Sequence, residues 1–290
     1  MIKVIGVVGA GQMGNGIAHL FAQHGFAVIL HDIADSRLSA AIANIRANLE
    51  RQVKKEVVAA GEVEEIVGRI MPTTDISDLS RADFVVEAVP EDETLKFQLF
   101  RKLDKIVGPD VILASNTSSI SISRIAAVTT RPERVIGMHF MNPPPVMSLV
   151  EVIRGRETAN ETFAVTAAQL TALGKEMAVA CDTPGFIVNR ILIPMINEAI
   201  FALYEGVANA EDIDKGMHLG ANFPMGPLAL ADLIGLDTVL AIINVLHDGF
   251  KEAKYLPCPL IIEMVAAGKL GRKSGQGFFS YVDNLAAFCP

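Results

Sequence analysis

Residues 4–32 read VIGVVGAGQMGNGIAHLFAQHGFAVILHD. Val4–Val8 is a short apolar run that suits a buried strand. Gly9-Ala10-Gly11-Gln12-Met13-Gly14 follows at once, and from Gly14 to His24 apolar residues recur with a period near 3.6. Ala27–Leu30 is apolar again and ends at His31-Asp32. This is a GxGxxG directly after a strand and directly before a helix. The glycines permit a tight turn, close approach of backbone to a pyrophosphate, and close helix–strand packing, while the helix start offers N–H groups and the positive end of its dipole. Asp32, eighteen residues beyond Gly14, ends the second strand. An acid there can hydrogen-bond the adenosine ribose hydroxyls and repel a 2′-phosphate, which favours NAD over NADP. A bare GxGxxG is weak, since a structural glycine turn beside a surface aspartate gives the same letters. The strand before it, the helix after it and the acid beyond turn the reading toward a cofactor site.

The alternation continues. Phe84–Glu87, Val111–Ser115, Val135–His139 and Leu149–Ile153 read as further strands, and Thr94–Val107 as one of the helices between them. A long helical stretch is expected from about Ala34 to Ala60, closed by Gly61. Strand and helix in turn imply the α/β class: a Rossmann-type, doubly wound, mainly parallel sheet covered on both faces. After about Asp182 the pattern changes. Phe186–Tyr204, Ala210–His218, Leu228–Ile234, Asp237–Phe250 and Leu260–Ala267 carry helical period. With Pro184-Gly185 as the hinge, the expected domains are 1–183, α/β and dinucleotide-binding, and 184–290, all-α.

Composition fits this division. The chain has 290 residues, 51% of them hydrophobic, enough for two cores. Its mean hydropathy is +0.38, yet the greasiest stretches, ILIPMINEAIFAL and LADLIGLDTVLAIINVL, are broken by Asn197, Glu198, Asp232 and Asp237 and read as buried helices, not membrane spans. A net charge of −8 argues against nucleic acid as a partner, so an anionic ligand needs a local cationic cluster. Cys181, Cys258 and Cys289 show neither a CxxC nor an even framework, so reduced thiols are expected. The N-terminus offers no signal peptide and the closing AAFCP no address signal, so a cytoplasmic location is expected.

The chemistry is expected in residues 137–153, GMHFMNPPPVMSLVEVI. His139 closes a strand, and ligands of open α/β sheets bind outside the carboxyl ends of strands. Hydride transfer from a secondary alcohol needs a base for the hydroxyl proton, and imidazole has the right range. A carboxylate on the other ring nitrogen fixes its tautomer and stabilises the imidazolium. Glu151 could fold back to serve, on a return path stiffened by three prolines. From these residues alone, a strand-end histidine bonded to backbone and a glutamate facing solvent is an equal reading. His19, His24, His31, His218 and His247 show no paired ligand spacing, so no metal is expected.

The blocks VGAGQMGNGIA, ASNTSSISI, GMHFMNPPPVM, TPGFIVNRILIPMINEA, GPLALADLIGLD and GRKSGQGF, spread nearly end to end, are similar to those of the short-form L-3-hydroxyacyl-CoA dehydrogenases. The chain most resembles the bacterial-type 3-hydroxybutyryl-CoA dehydrogenases. The resemblance implies a catalytic His139 with Glu151 as partner, and Ser118 and Asn189 as substrate contacts able to hydrogen-bond a C3 oxygen. For NAD it implies the glycine loop and Asp32, then Glu91, Lys96, Asn116, Ser118, Asn142 and Lys273. For the CoA moiety it implies Arg51 and Lys55 on a helical hairpin inserted after the second strand, four apart and so on one helix face, with Lys54 as a substitute. RQVKK is equally a plain solvated basic face. The implied activity is NAD-dependent interconversion of a short-chain (S)-3-hydroxyacyl-CoA and its 3-ketoacyl-CoA, in β-oxidation or butanoate metabolism. The helical domain is expected to close over substrate and to form a homodimer. Two rival functions stand beside it: a dehydrogenase of a free hydroxy acid or sugar acid of the L-gulonate type, and a non-enzymatic NAD-binding or structural relative of the lens-crystallin kind. Met141, the three prolines, Pro90 and Phe223 depart from the family pattern and bear on acyl-chain preference.

Overall fold

The computed structural model describes residues 2–281; Cys289 and the closing AAFCP lie outside them. The chain divides into two compact units, Met1–Thr183 and Pro184–Pro290.

The first unit is built on one sheet. Its strands are β1 (Val4–Val8), β2 (Ala27–His31), β3 (Ile70–Thr73), β4 (Phe84–Glu87), β5 (Ile112–Ser115), β6 (Val135–Phe140), β7 (Leu149–Arg154) and β8 (Glu176–Cys181), and its helices α1 (Gln12–Gln23), α2 (Asp35–Lys54), α3 (Glu62–Gly68), α4 (Glu93–Ile106), α5 (Ile122–Ala126) and α6 (Asn160–Ala172). The strand order is β3-β2-β1-β4-β5-β6-β7-β8. The chain thus leaves β1 first to one side and then to the other, and the crevice beyond the carboxyl ends of β1 and β4 is the switch point where such folds bind ligands. The central strands are apolar on both faces, as burial under two helix layers demands: Ile5, Val7, Phe84, Val85 and Val86 are all fully buried. Pairing is parallel except between β6 and β7. Only residues 141–148 join those two strands, too few for a crossover, so the chain must double back.

In the first unit three elements depart from the sequence reading. Helix α2 ends at Lys54, short of the expected Ala60. Glu56 takes a left-handed φ of 58°, and the N–H groups of Glu56 and Val57 donate to the carbonyls of Val53 and Gln52, which closes the helix. The fully buried stripe of Leu38, Ala41, Ile45 and Leu49 stops before this point, and α3 then returns to complete a hairpin. Strands β3 and β8 were not anticipated. Both lie at sheet edges: β3 is four residues long and contains Pro72, while β8 leaves Met177 and Val179 exposed and lacks a clean buried alternation.

The second unit is helical among the described residues: α7 (Val188–Tyr204), α8 (Ala210–Lys215), α9 (Pro227–Ile234), α10 (Leu236–Phe250) and α11 (Pro259–Ala266). The expected helix Ala210–His218 stops at Lys215 and continues as a single π-type turn, Gly216–Gly220. The core is formed by Ile193, Ile196, Ile200, Leu228, Val239, Ile243, Leu246 and Ile261. Asn197, the polar break in α7, is buried but satisfied, donating to the Leu256 carbonyl at 2.8 Å and accepting from the Cys258 N–H at 3.0 Å. No single described helix is long and apolar enough to cross a membrane; α9 and α10 pass such a test only as a pair, and they are bent by 99° at Gly235.

The turn after β1 is the tightest point of the first unit. A Cβ on Gly14 would lie 1.7 Å from the carbonyl oxygen of Gly9, so Gly14→Ala must push α1 away from β1. Urea unfolding should show a loss of roughly 2 kcal/mol or more, whereas Gly11→Ala, whose Cβ meets nothing within 4 Å, should fall within about 1 kcal/mol of the native chain.

Candidate active site

At the carboxyl end of β1, Gly9 adopts φ +99° and its N–H donates to the His31 carbonyl at 2.8 Å, tying the turn to β2. Gly11 is the N-cap of α1 and supplies no side-chain cap. The first N–H groups of the helix therefore await an outside acceptor. A methyl group at Gly11 would project into open space, so the backbone itself is what a ligand meets there. Gln12 and Met13 stand in the first helical turn. Asp32 is buried, and its two carboxylate oxygens accept from the N–H of Ala10 at 2.8 Å and of Ala34 at 3.3 Å. The acid is thereby locked to the glycine turn. Uncapped donors, an open glycine cradle and an acid beside them fit the pyrophosphate and ribose of a dinucleotide.

A second cluster forms where β4 and β5 end. Lys96, on α4, is 1% exposed, and its ammonium pairs with Glu87 and, at 3.3 Å, with Glu91. Glu87 is fully buried and also accepts from the Ser115 hydroxyl at 2.6 Å. Burial pushes its carboxyl above the ordinary range, against the opposing pull of Lys96 and of its hydrogen bonds. Glu91 behaves in the opposite way. Desolvation is the largest influence and would raise it, but Lys96 together with hydrogen bonds from Thr117, Ser119 and Ser118 outweighs that and keeps it below the usual carboxylate value. Its Oε1 accepts from the Thr117 hydroxyl at 2.5 Å and from the N–H groups of Ser118 and Ser119 at 2.9 and 3.0 Å. Glu91 thus shapes the SNTSS turn and sets the position of Ser118.

The same turn reaches β6. Asn116 Oδ1 accepts from the Phe140 N–H at 2.9 Å, immediately after His139. In the β6–β7 pair His139 stands opposite Glu151, and its Nδ1 lies 2.7 Å from Glu151 Oε2. The glutamate is fully buried and the imidazole 11% exposed, which excludes the solvent-facing alternative for Glu151. Between the strands the proline turn is fastened rather than loose. Lys175 Nζ donates to the carbonyls of Pro144 and Met147, both at 2.7 Å, and Pro144 packs so closely on α1 that a Cβ at Gly16 would come within 2.7 Å of it. Asn142 opens this turn and is exposed.

The remaining candidates are more scattered. Arg51 is exposed on the last turn of α2, its guanidinium donating to Asn48. Lys54 is the last helical residue, and Lys55 is the C-cap, φ −99° and ψ 7°. Lys55 thus closes the same last turn, four residues after Arg51, and the three side chains form one short basic end. In the second unit, Asn189 lies in the first turn of α7, and Lys273, in the turn Arg272–Ser274, pairs with Asp237 at the start of α10. Asp232, 1% exposed on α9, accepts from the N–H groups of Phe278 and Phe279, each at 3.0 Å, and from the Tyr281 hydroxyl at 3.1 Å, anchoring the chain beyond that turn. Thr117, Ser115, Glu87 and Lys175 were not singled out from sequence, and Asp232 only as a polar break in an apolar stretch. Of these only Glu87 carried a signal, an acid closing the apolar run FVVE. Among the described residues no group of three His, Cys, Asp or Glu is placed to hold a metal ion.

Residues 4–183 match the 3-hydroxyacyl-CoA dehydrogenase NAD-binding domain and residues 185–281 the C-terminal domain of the same family. The chain is 53% identical over 281 residues to a 3-hydroxybutyryl-CoA dehydrogenase of Bradyrhizobium diazoefficiens, covering 97% of this chain and 96% of that protein. It is 42% identical to the human mitochondrial hydroxyacyl-coenzyme A dehydrogenase over 97% of this chain and 92% of that one. The crystal structure of (S)-3-hydroxybutyryl-CoA dehydrogenase from Ralstonia eutropha superposes with a TM-score of 0.94 at 50% identity, over 97% of this chain and 99% of that chain. Two family domains in order, and relatives this similar over almost the full length, place the chain in the 3-hydroxyacyl-CoA dehydrogenase family of NAD-dependent oxidoreductases.

Proposed function

We propose that the chain interconverts (S)-3-hydroxybutyryl-CoA and acetoacetyl-CoA, with His139 as the acid/base. The observation that carries this reading is the buried contact of His139 Nδ1 with Glu151 Oε2 at 2.7 Å; the short-chain substrate is drawn from the names of the similar proteins. NAD, when bound, supplies the nicotinamide carbon that takes up or returns the hydride. In the oxidative direction Nε2 of His139 takes the C3 hydroxyl proton. Glu151, holding Nδ1–H, fixes the tautomer and stabilises the imidazolium that results. In the reductive direction the imidazolium gives the proton back to the C3 oxygen. Ser118 and Asn189 are assigned to hydrogen-bond that oxygen, and Glu91 to keep the Ser118 turn in place. Asp32 is assigned to the adenosine ribose, Asn142 and Lys273 to further cofactor contacts, and Arg51, Lys54 and Lys55 to the anionic CoA moiety. A homodimer through the helical unit and a cytoplasmic setting belong to the same proposal. Ile191, Val207 and Leu219, 67%, 72% and 72% exposed on that unit, support an apolar interface.

Replacing His139 by Ala should lower kcat for acetoacetyl-CoA reduction by about 10²–10⁴-fold, with the far-UV circular dichroism unchanged. The pH profile follows from the proton count. Oxidation needs neutral imidazole and should fade as the medium is acidified, whereas reduction needs imidazolium and should fade as it is made alkaline. Two flat profiles would remove His139 from the role. Arg51→Glu combined with Lys55→Glu should raise KM for acetoacetyl-CoA by about tenfold or more and leave KM for NADH unchanged. A free 3-keto acid reduced as well as its CoA ester would point instead to the hydroxy-acid reading.

A further inference from the structure

The turn that carries Ser118 is held by side chains. The Thr117 N–H donates to Ser115 Oγ at 3.2 Å, those of Ser118 and Ser119 to Glu91, and that of Ile120 to Thr117 Oγ1 at 2.8 Å. Past Ile120 a second carboxylate takes over. Asp182 Oδ1 accepts from the Ile122 N–H at 2.9 Å, and Oδ2 from the Ser123 N–H and the Ser121 hydroxyl, both at 2.7 Å. Ser121 in turn caps α5, its Oγ accepting from the Arg124 N–H at 3.3 Å. Asp182 comes from far along the chain, directly after β8, and is half-buried. Residues 117–124 are thus strung between two acids, Glu91 near the start and Asp182 near the end. Helix α5 has only five residues, too few backbone bonds to hold its own place. A carboxylate that takes three hydrogen bonds, two of them from backbone, is a strong clamp on its first turn.

We infer that Asp182 is a positioning residue for the reaction. By holding the start of α5 it fixes the outgoing end of the Ser118 turn, as Glu91 fixes the incoming end. Without it the turn is tethered on one side, and the Ser118 hydroxyl drifts from the oxygen it serves. A displacement of about 1 Å is enough to cost a reacting group much of its effect. The inference rests on the proposed assignment of Ser118 to the C3 oxygen. It makes a specific demand: the contribution of Asp182 to turnover must pass through the Ser118 side chain.

The test is a double-mutant cycle on kcat for acetoacetyl-CoA reduction by the full chain, with the folded fraction of each variant measured by circular dichroism. Asp182→Ala should lower kcat per folded chain by about tenfold, and Ser118→Ala by at least as much. The double variant should be no slower than Ser118→Ala alone. Losses that multiply in the double variant would assign Asp182 a general structural role and overturn the inference, as would native kcat in Asp182→Ala. Native kcat in Ser118→Ala is a different failure: the Ser118 assignment itself falls, and the inference with it. If Asp182→Ala does not fold, Asp182→Asn takes its place in the cycle. It keeps the volume and one accepting oxygen, but its amide group meets a donor. A loss of about threefold, absent in the Ser118→Ala background, is then expected, and a multiplying loss, or none, overturns the inference.

Discussion

His139 and Glu151 face each other across the β6–β7 pair, and the proposed chemistry depends on that register. In an antiparallel ladder a slip of one residue sends every side chain to the opposite face, so a displaced β7 would turn Glu151 away from the imidazole. Several independent contacts oppose such a slip. Lys175 clasps two carbonyls of the connecting turn, Pro144 packs against α1 at Gly16, and β7 is paired in parallel on its other side with β8 over six residues. Burial adds to this. A carboxylate with no solvent exposure needs a hydrogen-bonding partner, and the Nδ1 contact supplies one.

The cofactor half of the site follows a similar rule, in which polar groups near the sheet ends fix one another. Asp32 is held by the glycine turn it serves. Glu87 and Lys96 form a buried ion pair, and Glu91, more exposed, pairs with the same ammonium and carries the effect outward to the SNTSS turn. Buried charges of this kind contribute little net stability when replaced by apolar groups of equal volume, but they are costly to break singly. Their use here is geometric: Glu91 holds the Ser118 backbone, and Asn116, in the same turn, holds the end of β6.

Much of this was legible in the sequence, for physical reasons. The first strand, glycine turn and α1 could be read because the apolar period changes sharply at three glycines that few other structures require. His139 and Glu151 could be placed on neighbouring strands, but their partnership needed the resemblance, since letters alone do not show whether a strand after a proline turn runs back or crosses over. The end of α2 escaped because Glu56, not a glycine, takes the left-handed position. Edge strands β3 and β8 escaped because strands half open to solvent lack the continuous apolar run that marked the central ones. Lys175 and Thr117 were hidden for another reason. Both act through partners far off in sequence or through backbone groups, which no local pattern records.

Nitrogen-15 NMR of the chain labelled in its histidines tests the central claim most directly, because it reads which ring nitrogen of His139 carries the proton. The neutral ring should keep its proton on Nδ1, against Glu151, while Nε2 gains and loses one as the pH is moved. A neutral ring protonated on Nε2, with Nδ1 bare toward the carboxylate, would contradict the account.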